Sequence, residues 1–286
     1  MTRKTIPRST FRAFWDVTIV RRMVVLPRLA AALLVLLSGL SGPVRAQSDD
    51  RQAADSQSRV LASAKATLAR RPEDIDALRM AARAALKLGL IDQALGYAER
   101  AETVWPGDGG MVAVRASAAL AMGDLRGALL LFVEAEAKGA DPSDYAADRG
   151  LAYALYGDAP SAAHYYRLAM QAAPSSEVTR RYALTLAVLG DFAAGDALLR
   201  PLLAEQDMAA WRVRAFMLAL AGRTDEATAL LHATLPEQLA DDLAPYMAAM
   251  PRLTRAEQAA AALLGQFPVR DDLGISPAPA GPTDVP

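Results

Sequence analysis

Between residues 75 and 236 the apolar positions, mostly Ala and Leu, recur at helical spacing in segments that stop at a glycine and start again. The stops are Gly89, Gly123, Gly157, Gly190 and Gly222, at intervals of 34, 34, 33 and 32 residues. Alanine follows five positions later at Ala94, Ala128, Ala162 and Ala227, while Gly190 is followed by Gly195. A period of this length means stacked supersecondary units rather than one compact core. Residues 143–176 show a unit whole. Helix A runs to about Tyr156, Gly157 supplies a left-handed helix end, Asp158 caps helix B, and helix B stops near Ala173 before Pro174. The unit is a helical hairpin, with Gly150 expected opposite Ala162 where the helices touch and Tyr153 and Tyr166 filling the space between.

The flanks differ from the repeats. Polar residues 47–57 read as a flexible lead-in, and a helix over 58–71 stops at Pro72, whose ring and missing N–H cannot continue the ladder. Past Pro236 the period fails but helical patterning continues, and Thr254 with Glu257 forms a capping box that opens a last helix ending near Gly265. Residues 237–267 therefore read as C-terminal capping helices, since an open solenoid end exposes apolar surface unless an atypical unit covers it. Pro201 falls inside a B helix, where proline kinks the helix or costs about 3 kcal/mol. Any bend or opening of the stack is expected there, between Gly190 and Gly222. Residues 268–286, rich in proline and without an apolar pattern, read as a disordered tail.

The unit at 143–176 carries Gly150, Tyr153, Gly157, Ala162, Tyr166, Ala169 and Pro174 at positions 8, 11, 15, 20, 24, 27 and 32. This pattern resembles the tetratricopeptide repeat (TPR). The unit from Ile75 matches with Ala82, Ala85, Gly89, Ala94, Ala98, Ala101 and Pro106, and the next with Ala116, Ala119, Gly123, Ala128, Phe132 and Ala135. Two later units drift, keeping Ala183, Leu186 and Gly190, then Trp211, Ala215, Leu218, Gly222, Ala227 and Leu231. The resemblance spans residues 75–236. It implies an all-α, right-handed α-solenoid of TPR-like hairpins with terminal capping helices, whose A helices line a concave face that binds a protein or extended peptide.

Composition sharpens this picture at the N-terminus. Arg21, Arg22 and Arg28 precede an uncharged run over 29–40, and small residues Val44 and Ala46 then stand at −3 and −1 of a cut before Gln47. Residues 1–46 read as a secretory signal peptide, too short in its apolar run for a comfortable span of about 20 residues. The expected location is periplasmic, with an uncleaved inner-membrane anchor as the alternative, and Met23 offers an alternative start. Without residues 1–46 the chain keeps 23 basic against 31 acidic side chains, a net charge of −8. Such acidity argues against nucleic-acid binding, which needs phosphate neutralisation. The chain has no cysteine, which excludes disulfides and thiolate chemistry.

Candidate chemistry is sparse. The two histidines, His164 and His232, lie on B helices without a second histidine nearby, and adjacent helical carboxylates such as Asp241 and Asp242 point about 100 degrees apart. Asp124, Asp158 and Asp191 read as B-helix caps. No catalytic residue, cofactor or metal is assigned. The A helices do carry recurrent arginines. Arg79, Arg180 and Arg212 stand at position 5, and Arg115, Arg149 and Arg214 at position 7. The peptide-binding expectation is a concave groove with Arg79, Arg83, Arg180 and Arg212 beside Leu151, Leu184 and Phe216, suited to an acidic segment or a C-terminal carboxylate. The competing reading makes the position-7 arginines intramolecular struts to carboxylates such as Asp148 and Glu177. The expected function is a non-enzymatic scaffold in the bacterial envelope, for instance in pilus assembly, polysaccharide export or cell-wall machinery. The alternatives are a regulatory subunit on an envelope enzyme and a groove hydrolase.

Overall fold

The computed structural model describes residues 45–268, with side chains from residue 54 onward. The signal-peptide expectation and nearly all of the proline-rich tail lie outside the described residues. Thirteen α-helices and two short 3-10 turns follow one another among the described residues. Helix α1 spans Arg45–Arg70 and precedes five hairpins. These are α2 (Ile75–Lys87) with α3 (Ile91–Val104), α4 (Gly109–Ala121) with α5 (Leu125–Ala137), α6 (Ala146–Tyr156) with α7 (Ala159–Ala172), α8 (Ser176–Val188) with α9 (Phe192–Ala204), and α10 (Met208–Leu220) with α11 (Thr224–Thr234). Helix α12 (Glu237–Ala249), a turn over Met250–Arg252 and α13 (Arg255–Leu264) complete the fold. No helix of the described residues is long and apolar enough to cross a membrane.

Local chemistry sets the hairpin ends. All five repeat glycines have positive φ, Gly157 at +90°, a left-handed conformation that glycine adopts without a Cβ penalty. The next residue caps helix B in three units, where Asp124, Asp158 and Asp191 accept from the N–H groups of Gly127, Ser161 and Ala194. Each cap is worth about 1 kcal/mol. Small residues then let the paired helices close. Ala82, Ala85, Ala94, Ala98 and Ala101 are wholly buried in the first unit. Gly150 lies beneath the Tyr166 ring, where a Cβ would come within 2.9 Å, rather than against Ala162 alone. Gly195, which departs from the repeat alanine, is tighter still, because a Cβ there would stand 2.7 Å from the Ala183 carbonyl oxygen. The apparent drift in the fourth unit is thus a closer helix approach.

Each helix packs on the next, and consecutive A helices (α2, α4, α6, α8, α10) also touch one another, whereas consecutive B helices approach less. A stack that is tighter on one side curves toward that side. The A face is therefore the concave one.

Three sequence expectations change and one holds. The polar stretch 47–57 belongs to α1, because no Gly or Pro interrupts residues 45–70 and Ala, Gln and Arg favour helix. Pro201 lies inside the B helix α9, as expected, with its exposed ring in the last turn before Ala204. The stack does not open between Gly190 and Gly222: α8 and α10 approach most closely of the consecutive A helices, and α13 packs instead against α6 and α8. The C-terminal pair also divides in role. Helix α12 continues the stack on α11, whereas α13 folds back over the A face.

Helix α9 ends with Gln206 at φ +59°, the single non-glycine residue with positive φ among the described residues. A Cβ in that conformation costs about 1 kcal/mol. Gln206→Gly is expected to stabilise the chain by about 0.5 kcal/mol after the flexibility of glycine is allowed for. Urea unfolding checks this through the midpoint at constant slope.

Candidate functional site

Along the A face the position-9 residues form a ladder: Arg83, Ser117, Leu151, Leu184 and Phe216. Four of these, Arg83, Leu151, Leu184 and Phe216, were expected to line an open groove, and the chain covers the three apolar ones. Leu184 is 1% exposed, Phe216 7% and Leu151 9%. Leu151 shares a buried cluster with Ala259 of α13, and Leu184 and Phe216 share another with Leu253 and Ala261. Leu263 packs against both clusters. Beyond α13, the Phe267 ring stacks on Phe216 at 6.2 Å and lies 4.5 Å from the Tyr246 ring. The C-terminal segment therefore occupies the groove over units three to five.

The arginines are mostly engaged elsewhere. Arg79 Nε donates to Asp108 Oδ2 at 2.5 Å, while Asp108 Oδ1 accepts from the Gly110 N–H that opens α4. The hydrogen bond to Asp108 raises the Arg79 pKa above its ordinary value. Arg180 donates to Asp207 in the same way, and Asp207 caps α10 through the N–H groups of Ala209 and Ala210. One carboxylate thus caps an A helix and holds the preceding A helix. Arg83 pairs with Asp144 at 3.2 Å, both half exposed. Arg212 is exposed and forms no ion pair among the described residues. The expected cationic groove is therefore largely neutralised, and the acidic-ligand expectation loses its basis.

The strut reading holds for two of the position-7 arginines, with different partners from those expected. Arg149 donates to Glu136 at 2.8 Å and Arg214 pairs with Asp196 at 3.1 Å, each joining an A helix to the preceding B helix. Arg115 remains exposed. Arg149 is 4% exposed and lies 4.4 Å from the Tyr165 ring centroid, with Tyr153 stacked on Tyr165. Burial is the largest single influence and works against its charge, but the Glu136 hydrogen bond together with the neighbouring Tyr153 and Tyr165 hydroxyls outweighs it, and its pKa lies above the ordinary arginine value. Burial also pushes the Tyr145, Tyr165 and Tyr166 hydroxyls up.

Other chemistry does not converge. His232 lies 3.6 Å from Asp241, and His164 meets the edge of Tyr165. No group of three or more His, Asp or Glu forms a metal-binding cluster among the described residues. A pocket of about 260 Å³ between α9 and α10, lined by Phe192, Asp196, Arg214, Met217, Leu218 and Arg223, falls below the usual size of small-molecule sites, about 300–1,000 Å³.

The glycine-ended hairpins and concave A face define a helical-repeat α-solenoid, the fold that the resemblance to tetratricopeptide repeats implies. Among solved structures the chain is similar to TTC0263, a thermophilic TPR protein of Thermus thermophilus, at 24% identity and a TM-score of 0.44 over 58% of this chain and 96% of that one. It is also similar to a chain in the structure of Naa15/Naa10 bound to HypK-THB, at 15% identity and a TM-score of 0.35 over 79% of this chain and 38% of that one. No protein-family model matches the sequence, and no curated protein does.

The residues that sequence reasoning missed are Ala256, Ala259, Ala261 and Phe267. Their signal was the stripe of Ala256, Ala259 and Leu263 at helical spacing, with an aromatic just beyond the helix end.

The two kinds of arginine pair should separate in a stability measurement. Arg180→Met leaves Asp207, 5% exposed, without its cation and is expected to cost about 2 kcal/mol. Arg83→Met removes a solvated pair and should cost less than about 1 kcal/mol. Chemical denaturation of both variants checks the order.

Proposed function

We propose that the chain is a non-enzymatic adaptor that docks a protein segment on its concave A face. The observation that carries this reading is that the face already holds a polypeptide segment, residues 253–267, through apolar contacts with α6, α8 and α10. A surface shaped for one helix is shaped for others of the same kind. A repeat stack suits this role because each unit contacts chiefly its neighbours, leaving a long surface free to vary. The N-terminal part of the face is less covered, with Met80 46% exposed on α2 beside exposed Arg83 and Lys87.

The setting we propose is the bacterial envelope, on the periplasmic side. The arginine-flanked apolar run over 29–40 and the small residues before Gln47 support export. An acidic remainder supports a protein partner over nucleic acid.

A photo-crosslinking residue at Met80 tests the docking face, with Leu130 on the B helix α5, 68% exposed, as the comparison. A discrete protein adduct from Met80 and none from Leu130 is expected in envelope preparations. Adducts from Leu130 alone would put docking on the convex side and sink the proposal. Fractionation of a C-terminally tagged chain should place it in the periplasmic fraction, and retention in the cytosol would remove the envelope setting.

A further inference from the structure

We infer that α13 is a displaceable internal ligand of the groove over units three to five, and that the partner it excludes is an alanine-faced amphipathic helix followed by an aromatic side chain. The inference rests on the concave-face reading above and adds to it the class of ligand and a means of regulation.

Three observations support it. First, the segment is polar only toward itself. Thr254 and Glu257 form a reciprocal capping box, and the buried Gln258 side chain donates to the carbonyls of Met250 and Leu253. No side-chain hydrogen bond or ion pair among those resolved joins residues 250–265 to α6, α8 or α10. Apolar attachment is non-directional, so a different helix of similar shape can replace it without leaving a buried polar group unpaired.

Second, α13 bridges two parts of the core. Helices α4, α6 and α8 approach one another less than α2 and α4 or α8 and α10 do, and two of the three core clusters meet within α8. Ala259 enters one cluster, Ala261 enters the other and Leu263 packs against both. The cleft takes small side chains along the helix, as the close approach of Ala256 to Gly157 also shows, and a ring at its end between Phe216 and Tyr246. These features specify the ligand: small or branched apolar residues spaced like Ala256, Ala259 and Leu263, then an aromatic in the place of Phe267.

Third, α13 has only 10 residues, short of the length at which an isolated helix is stable in water. Its order depends on docking.

A labelled peptide of wild-type sequence over residues 250–268 serves as the probe, titrated by fluorescence anisotropy into the full chain and into the Ala259→Glu chain. The substitution places a charge in the first cluster and should release α13 while circular dichroism retains the solenoid signal. The peptide is expected to bind the variant at least tenfold more tightly than the wild type, and a peptide carrying Phe267→Ala should lose most of that affinity. Should Ala259→Glu fail to fold, Phe267→Ala in the full chain loosens the same segment from its end and is expected to raise affinity at least threefold. Equal affinity for released and wild-type chains overturns the inference. Concentration-dependent dimerisation of the wild type with this segment exchanged would assign the groove to a second copy and overturn the partner form. Met80 lies on α2, outside the covered stretch, so a failed capture there and a failed peptide exchange are separate outcomes.

Discussion

The solenoid depends on helices that come close enough for alanine to touch the neighbouring helix. Ala82, Ala98, Ala116, Ala128, Ala162, Ala183, Ala215 and Ala227 are all wholly buried, and Gly150 and Gly195 stand where even a methyl group would crowd a ring or a carbonyl. Close packing of this kind rewards dispersion contacts and punishes added volume. Left-handed glycines make it possible by reversing the chain within a few residues, so that each pair of helices meets along its length. Larger side chains, Phe132, Tyr145 and Tyr166, then fill the spaces between units, with Phe132 and Tyr145 stacked at 5.3 Å.

Polar groups add register to this apolar stack. Asp108 and Asp207 each satisfy a helix N-terminus and an arginine from the unit before, which fixes the rotation of one A helix relative to the next. Arg149 and Arg214 do the corresponding work between an A helix and the preceding B helix. Arginine suits both roles because its charge persists and its donors are fixed in a planar fork. The same engagement removes those charges from the pool that could recognise a ligand, and the concave face is consequently more apolar than its arginine content suggests.

Local features were legible in the sequence. The glycine period, the Asp caps of the B helices and the Thr254–Glu257 box each depend on residues within a few positions of one another. Features that join distant residues were not. The partner of Arg180 is 27 positions away, and nothing short of the stack itself brings Asp207 beside it. The groove illustrates the limit most clearly. Leu151, Leu184 and Phe216 were correctly placed on the A face, yet a row of such residues is too apolar to stay uncovered. Residues 253–267 supply the cover, and their placement follows from tertiary packing rather than from the end-capping role that their position in the chain suggests.

The central claim is that the C-terminal helix lies on the concave face rather than at the end of the stack. The Phe267 ring stands 6.2 Å from the Phe216 ring on α10 and gives a direct test. A photo-crosslinking phenylalanine analogue in place of Phe267 should form an intramolecular adduct that peptide mass mapping assigns in part to α10. Adducts on α11 or α12 with none on α10, in a folded monomer, would contradict the account.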